Sequence, residues 1–510
     1  MKRCRQISCY LLVSGLLWVA PASAIVLCGN PTSSGTGQSF DAVLLTCDST
    51  VTDFAYGSIS FVLTVDGAYA LITSTSGATT FFGPIGSFAP LTNLTINTGT
   101  LNVGSTIHIS GNLSLNTTNS DITQSAPFSA NTLSGSSIHN AMLTNSSNAF
   151  ADLGSFSAGS FSLSNGLPLA IDGPVSATDP SGSLTITSAS VLTVNGALAA
   201  STVNLTGGDI GFGLLSNITA TGPSLSLTAT TGSIVQFGTL TSSGACNISA
   251  GAGTIVFNDN VSCATPAFTA PATNLLGSLN FGANSGTSVI GTVTGNYNQT
   301  GDLTLKAFAT SSDQLAVSGS AALGGTLTVN FASVPGLGQN LTVLTAASIS
   351  GKFANLIVTG LPSDRVAEIT YLASSVVLTI RSAVTCFVKF DAAGANSGLS
   401  WVDAYTDLQP ALSNPACGQI WVARGVYKPT ATADRSIAFN IPPHARVYGG
   451  FAGTETLFAQ RDVAADLTVL SGDIDNNDTG TNGVDADFSK IVGNNSYHVV
   501  VIDEIGRAHV

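Results

Sequence analysis

Lysine, arginine and glutamate are missing altogether from residues 6–305, so the only formal charges there are scattered aspartates. Protein surfaces usually intersperse charges of both signs, and helices are usually dressed with Glu and Lys. The absence argues against most globular enzymes. Charged residues are only 8% of the 510-residue chain and its net charge is -13. With so few cations to neutralise phosphates, nucleic acid and anionic lipid are excluded as partners. Cys-x-x-Cys, a phosphate loop and a Gly-x-Ser-x-Gly elbow are also absent, and His108, His139, His444 and His498 show no metal-ligand spacing. No apolar run after the first residues is long enough to span a bilayer, so no transmembrane segment is expected.

What fills the gap is Ser, Thr, Asn and Gly alternating with Leu, Val, Ile and Phe, the texture of stacked strands whose outer faces are hydroxyl and amide ladders. Apolar-polar-apolar triplets recur: Leu94-Thr95-Ile96, Leu113-Ser114-Leu115, Phe161-Ser162-Leu163, Leu184-Thr185-Ile186, Val203-Asn204-Leu205 and Leu225-Ser226-Leu227. Neighbouring members often lie about twenty residues apart, a solenoid period. We expect one triplet per coil of a parallel β-helix, its apolar side chains filling a narrow interior. A row of antiparallel sandwiches shares the alternation, but the absence of long charged loops favours the solenoid.

The first residues read as an export signal: Lys2, Arg3 and Arg5 form a basic start, residues 10–20 an apolar stretch and Ala22-Ser23-Ala24 a small-residue cleavage site. Mature protein is then expected from Ile25, outside the cytoplasm. Six cysteines remain, in three sequence-local pairs: Cys28 with Cys47, Cys246 with Cys263, and Cys386 with Cys417. Paired cysteines after an export signal argue for disulfides, although six cysteines allow fifteen pairings.

Stretches such as Ile122-Thr123-Gln124-Ser125, Gly182-Ser183-Leu184-Thr185-Ile186-Thr187 and Val194-Asn195-Gly196-Ala197-Leu198 resemble filamentous-haemagglutinin-like secreted bacterial solenoids. The likeness covers roughly 79–285 and is compositional; that family's N-terminal secretion domain is not recognisable. Gly295-Asn296-Tyr297-Asn298-Gln299-Thr300, Ser312-Asp313-Gln314-Leu315-Ala316-Val317 and Leu323-Gly324-Gly325-Thr326-Leu327 look like the module that closes solenoids in autotransporter-type passengers. A closing module is physically expected, because an open β-helix end exposes unpaired strand edges. From Phe387-Val388-Lys389-Phe390 through Gly398-Leu399-Ser400-Trp401 and Ile420-Trp421-Val422-Ala423-Arg424-Gly425-Val426-Tyr427 to Val447-Tyr448-Gly449-Gly450-Phe451, the chain resembles the opening of surface proteins with a pectin-lyase-like right-handed β-helix, including relatives of polymorphic outer-membrane proteins.

The expected class is therefore all-β: two right-handed parallel β-helical regions in series with a capping module between. The expected organisation is a signal at 1–24, a Ser/Thr/Asn/Gly-rich solenoid at 25–295, a closing module at 296–384, and the N-terminal part of a pectin-lyase-like helix at 385–503. Residues 504–510 resemble read-through of a sequencing adapter and are set aside, which makes the second helix a fragment. Thr406 with Gln409 fits a capping box, with Leu408, Ala411 and Leu412 on one helical face and Pro410 in the first turn.

Alternate carboxylates at Asp473, Asp475 and Asp478, followed by Asp485 and Asp487, could present several oxygens to a calcium ion. The loop departs from the EF-hand pattern: Asp478 stands where Gly is wanted, and no Glu closes it. A solvated acidic turn is the competing reading. The solvated turn is the commoner of the two readings, so no cofactor is expected unless this loop binds calcium, and no residue is assigned a catalytic role. Arg424, after a strand, is the one candidate base; the paired Asp-Asp, Gly-His-Gly and Arg-x-Lys signatures of pectin hydrolases are absent. Trp421, Tyr427, Tyr448 and Phe451 could stack on sugars, but core or cap positions fit them better. The function expected is an exported, non-catalytic cell-surface or outer-membrane stalk of adhesin type, holding glycans or surface proteins by weak multivalent contact along a repetitive face. The alternative is a polysaccharide lyase or glycoside hydrolase on the pectin-lyase-like fold.

Overall fold

A computed structural model describes residues 11–13, 16–18, 24–281, 287–362, 364–414, 416–442, 445–479 and 487–502. Of the expected leader, these include the antiparallel pair Leu11–Val13 and Leu16–Trp18, and Ala24. Residues 504–510, His444 and Asp485 lie outside them. The chain is 55% strand and 2% helix, and its stacked parallel coils form a β-solenoid of about 14 turns. It divides into two compact units: Met1–Leu305, Asp313–Thr328 and Leu344–Asn355 in one, and Lys306–Ser312, Val329–Val343 and Leu356–Val510 in the other.

In the first unit the triplets become strands because alternation puts one residue in three outward and two inward. Leu184 pairs in parallel with Val203, Val203 with Leu225, and Leu225 with Cys246. The inward Leu184, Ile186, Val203, Leu205, Leu225 and Leu227 are at most 1% exposed. Burying each such side chain stabilises the coil by about 1.5–3 kcal/mol relative to leaving it in water.

A coil carries three strands where the triplets suggested one. Ser183–Ser188 is followed by Leu192–Val194 and Leu198–Ala200, and each pairs with its counterpart one coil on, Thr202–Gly207, Ile210–Phe212 and Asn217–Ala220. We call these the first, second and third columns. The six triplets are divided between columns: Leu113 stacks through Leu133 and Leu153 onto Ile171 and Val194 in the second, whereas Phe161 stacks onto Leu184 in the first. Parallel pairing continues from Ile290–Gln299 onto Gln314–Val317 and Ser320–Leu323.

Two asparagines inside the coils are satisfied largely by backbone. Asn148, 1% exposed, accepts from Phe128 N at 2.8 Å and donates to Leu143 O and Ser164 O, both at 3.0 Å. Asn165, 2% exposed, accepts from Phe150 N and donates to Phe150 O and Leu167 O. Buried amides of this kind replace ladder bonds that a coil corner cannot make.

Asp53 does the same for the first coils. Its carboxylate accepts the Ser33 hydroxyl and the backbone N–H groups of Gly35, Gly37, Ala55 and Gly57. The Ser33 hydroxyl, with the Ala55, Gly35 and Gly57 N–H groups, outweighs burial and holds the carboxyl well below the usual range. An aspartate depressed on folding contributes stability above its unfolded pKa of about 3.9, and that contribution is lost as pH falls toward the folded value. Thermal melts at pH 7 and pH 3 should therefore show Asp53→Asn well below wild type at pH 7 and closer to it at pH 3. A gap independent of pH would contradict this.

In the second unit Arg365–Tyr371 and Ser375–Ser382 form an antiparallel hairpin, and Glu368 on it accepts from both Arg381 and Arg446. Val384–Val388 then pairs in parallel with Cys417–Ala423, which pairs with Arg446–Phe451. The helix Leu408–Ser413 buries Leu408, Ala411 and Leu412 in a cluster with Val388, Ile420 and Phe439. Its N-cap is Asp407, whose side chain accepts from Gln409 N at 2.9 Å, and not Thr406 as the capping-box spacing suggests. The Thr406 N–H that such a box would offer Gln409 goes to Asn396 Oδ1 at 2.9 Å, and the Gln409 side-chain amide donates instead to Pro429 O and Ala438 O. Pro410 lies in the first turn, where a missing N–H costs nothing.

Candidate binding face

The first column builds the face. Its strands place a hydroxyl at one outward position in every coil from Ser164 onward: Ser164 pairs with Thr187, Thr187 with Thr206, Thr206 with Thr228, Thr228 with Ser249, Ser249 with Thr269, and Thr269 with Thr294. Five of these side chains are half-buried between neighbours, and Thr269 and Thr294 are exposed. Two positions earlier runs a second row, where Ser162, Thr185, Asn204, Ser226 and Asn247 stack in register. The Asn204 amide donates to the Thr185 hydroxyl at 3.5 Å. On an earlier face Asn116 bridges Asn97 at 3.0 Å and Ser136 at 3.0 Å, so amide and hydroxyl side chains also link coils there.

No strand residue of this face carries a charge; Asp172, Asp179 and Asp209 lie at turns between strands. Hydroxyls both donate and accept, and parallel strands repeat at about 4.8 Å. The row is thus a periodic line of neutral hydrogen-bonding groups on a backbone paired to its neighbours coil by coil. The ladder was legible in the sequence as composition. Its continuity was not, because the intervals vary from 19 residues, Thr187 to Thr206, to 25, Thr269 to Thr294.

The disulfide candidates are brought together in the pairs expected, with Cα separations of 5.0 Å for Cys28 and Cys47, 5.8 Å for Cys246 and Cys263, and 5.3 Å for Cys386 and Cys417. The acidic loop is occupied by its own backbone. Asp473 accepts from Asn477 N at 3.2 Å, Asp475 from Asn494 N at 3.0 Å and Asn477 Nδ2 at 2.9 Å, and Asp478 from Val492 N at 2.6 Å. Among the described residues no group of three or more His, Cys, Asp or Glu side chains is placed to hold a metal ion.

The aromatics proposed for sugar stacking are core: Trp421 is 7% exposed, Tyr427 4% and Phe451 0%, while Tyr448 is half-buried and packs edge-on against Phe458. Burial pushes the Tyr427 phenol up to about 12, and its hydroxyl donates to Ala423 O. Arg424 is an exposed corner residue, 3.4 Å from Asp466. His108 lies 2.7 Å from the Ser129 hydroxyl on an exposed surface. Comparison of the chain with protein-family models, curated proteins and solved structures found no match.

Proposed function

We propose that this protein is an exported, non-catalytic surface stalk of adhesin type that holds neutral glycans or surface proteins along its first column. The observation that carries the reading is the unbroken row of seven hydroxyl side chains from Ser164 to Thr294 on a face without charge. One hydroxyl contact is weak, but many in a fixed line act together, because each after the first forms at a high effective concentration. Export is supported by the basic-then-apolar leader and by three cysteine pairs at bonding distance, which belong in an oxidising compartment.

The test is binding of purified protein to immobilised polysaccharides and to cells, with release of sugar products measured in parallel. Binding without turnover is expected. Replacing Thr187, Thr206 and Thr228 together by valine keeps shape and strand preference while removing three hydroxyls, and should weaken binding at least tenfold, about 1.4 kcal/mol. Turnover of uronate or neutral glycans that Asp473→Ala or Asp475→Ala abolishes would replace this reading with the lyase or hydrolase one.

A further inference from the structure

The three cysteine pairs differ in what surrounds them. Cys246 and Cys263, on the paired strands Thr239–Ala250 and Val261–Leu275, are 0% and 1% exposed. Cys386 and Cys417, 1% and 0% exposed, lie in the core cluster of the second unit with Val388, Leu412 and Ile420. Cys28, by contrast, is exposed and Cys47 half-buried. Thiol–disulfide exchange needs an external thiolate to reach a sulfur, so access decides which bonds react. Packed side chains deny that access at the two buried pairs, and solvent gives it at the third.

The exposed bond also spans a break in the ladder. Ile25–Gly29 pairs with Val43–Asp53, but the register slips: Leu27 stands opposite Leu45, and Gly29 opposite Ser49. Cys28 on the first coil therefore faces Thr46, Cys47 and Asp48 on the second. Bulges re-aim side chains and are frequent beside functional sites. This one is anchored without the disulfide: Asp48 accepts from Ala70 N at 2.8 Å on the following coil, and the Ser49 hydroxyl donates to Cys47 O at 3.1 Å. On either side of the gap, Ile25 N donates to Ala42 O at 2.7 Å and Thr52 N to Pro31 O at 3.0 Å. Opening the bond leaves these contacts of the first coils in place.

We propose that Cys28–Cys47 is a thiol-exchange site, which links the start of the solenoid covalently to a thiol-bearing partner. The partner's thiolate attacks the sulfur of Cys28, the more exposed of the two. A new S–S bond forms between partner and Cys28 as the Cys28–Cys47 bond breaks, and Cys47 leaves as a thiolate. The proton lost by the partner's thiol ends on Cys47. One disulfide replaces another, so the step needs no separate oxidant. Cys47 stays at a Cα separation of 5.0 Å from Cys28, within disulfide range, so its thiolate can attack the mixed disulfide and release the partner. The link is therefore reversible, and it is independent of the hydroxyl row.

The test uses the full chain, purified without reductant and kept folded. It is incubated with glutathione and, separately, with thiol-agarose; free thiols are then blocked with N-ethylmaleimide and located by peptide mapping. Glutathione should appear on Cys28 and the blocking group on Cys47, at least tenfold faster than any label on Cys246, Cys263, Cys386 or Cys417. The resin should retain the chain and release it with dithiothreitol, and Cys28→Ser combined with Cys47→Ser should abolish retention. A glutathione adduct without retention supports exchange with small thiols, and both together support exchange with thiol-bearing surfaces as well. Neither adduct nor retention, or equal labelling of all three pairs in the folded chain, overturns the proposal. Should the double variant fail to fold, the order of labelling in the wild type decides.

Discussion

Replacing Asn148 by leucine is expected to lower the melting temperature more than any surface change in the chain. Leucine keeps asparagine's branched four-atom side chain but is bulkier, so the loss combines missing hydrogen bonds with overpacking of a site that is 1% exposed. Phe128 N would lose its acceptor, Leu143 O and Ser164 O their donor, and the Gln124 side chain its two bonds to Asn148, all at 2.8–3.0 Å in the wild type, leaving Gln124 only Ala126 O and Asn145 N. Each buried group left unmade costs roughly 1–3 kcal/mol. Asn148→Asp separates the two halves of the effect: it keeps an acceptor for Phe128 N but removes the donors and buries a charge, so it should be at least as destabilising. Urea or thermal unfolding followed by circular dichroism measures both. A loss below about 1 kcal/mol for Asn148→Leu, less than one stranded group costs, would show that this side chain does not bridge the coils.

The second large effect is expected in the core. Leu205 is 1% exposed and sits between Ile186 and Leu227 on adjacent coils. Truncating a buried leucine to alanine costs about 2–5 kcal/mol, from lost transfer energy and the cavity left behind. In a narrow stack each coil touches only its two neighbours, so little else can move to fill the gap. Thr206→Ala, one residue along and facing outward, should change stability by about 0.5 kcal/mol or less. The contrast between adjacent residues is the measurement: similar losses at 205 and 206 in urea unfolding would mean the strand is not one-sided.

The first-column strands were readable because five or six residues alternate strictly, as in Ser183–Ser188 and Thr202–Gly207. Second- and third-column strands such as Leu192–Val194 and Leu198–Ala200 are three residues long, too short for period two to stand out from the turns around them. The cysteine pairs were readable because separations of 19 and 17 residues are close to one coil. Asn148 and Asn165 were not, since nothing local distinguishes an asparagine that faces a neighbouring coil's backbone from one that faces water. The acidic loop shows the reverse: Asp473, Asp475 and Asp478 were conspicuous as a cluster, yet each accepts a backbone N–H.

The lack of lysine, arginine and glutamate across residues 6–305 follows from this architecture. Outward strand positions stand about 4.8 Å from their like on the next coil, so repeated charges would repel up the stack, whereas hydroxyls and amides hydrogen-bond.

The central claim is that these varied intervals stack into one register, because the hydroxyl face exists only if they do. Cysteine cross-linking tests it directly. Thr187→Cys with Thr206→Cys places thiols on directly paired residues, where the Cα spacing of about 4.8 Å lies within disulfide range. Thr187→Cys with Asn204→Cys sets them two residues out of register, at roughly 7–8 Å, beyond it. Oxidation followed by peptide mapping should find the 187–206 cross-link and not the 187–204 one; the opposite result, or both in equal yield, would contradict the face described here.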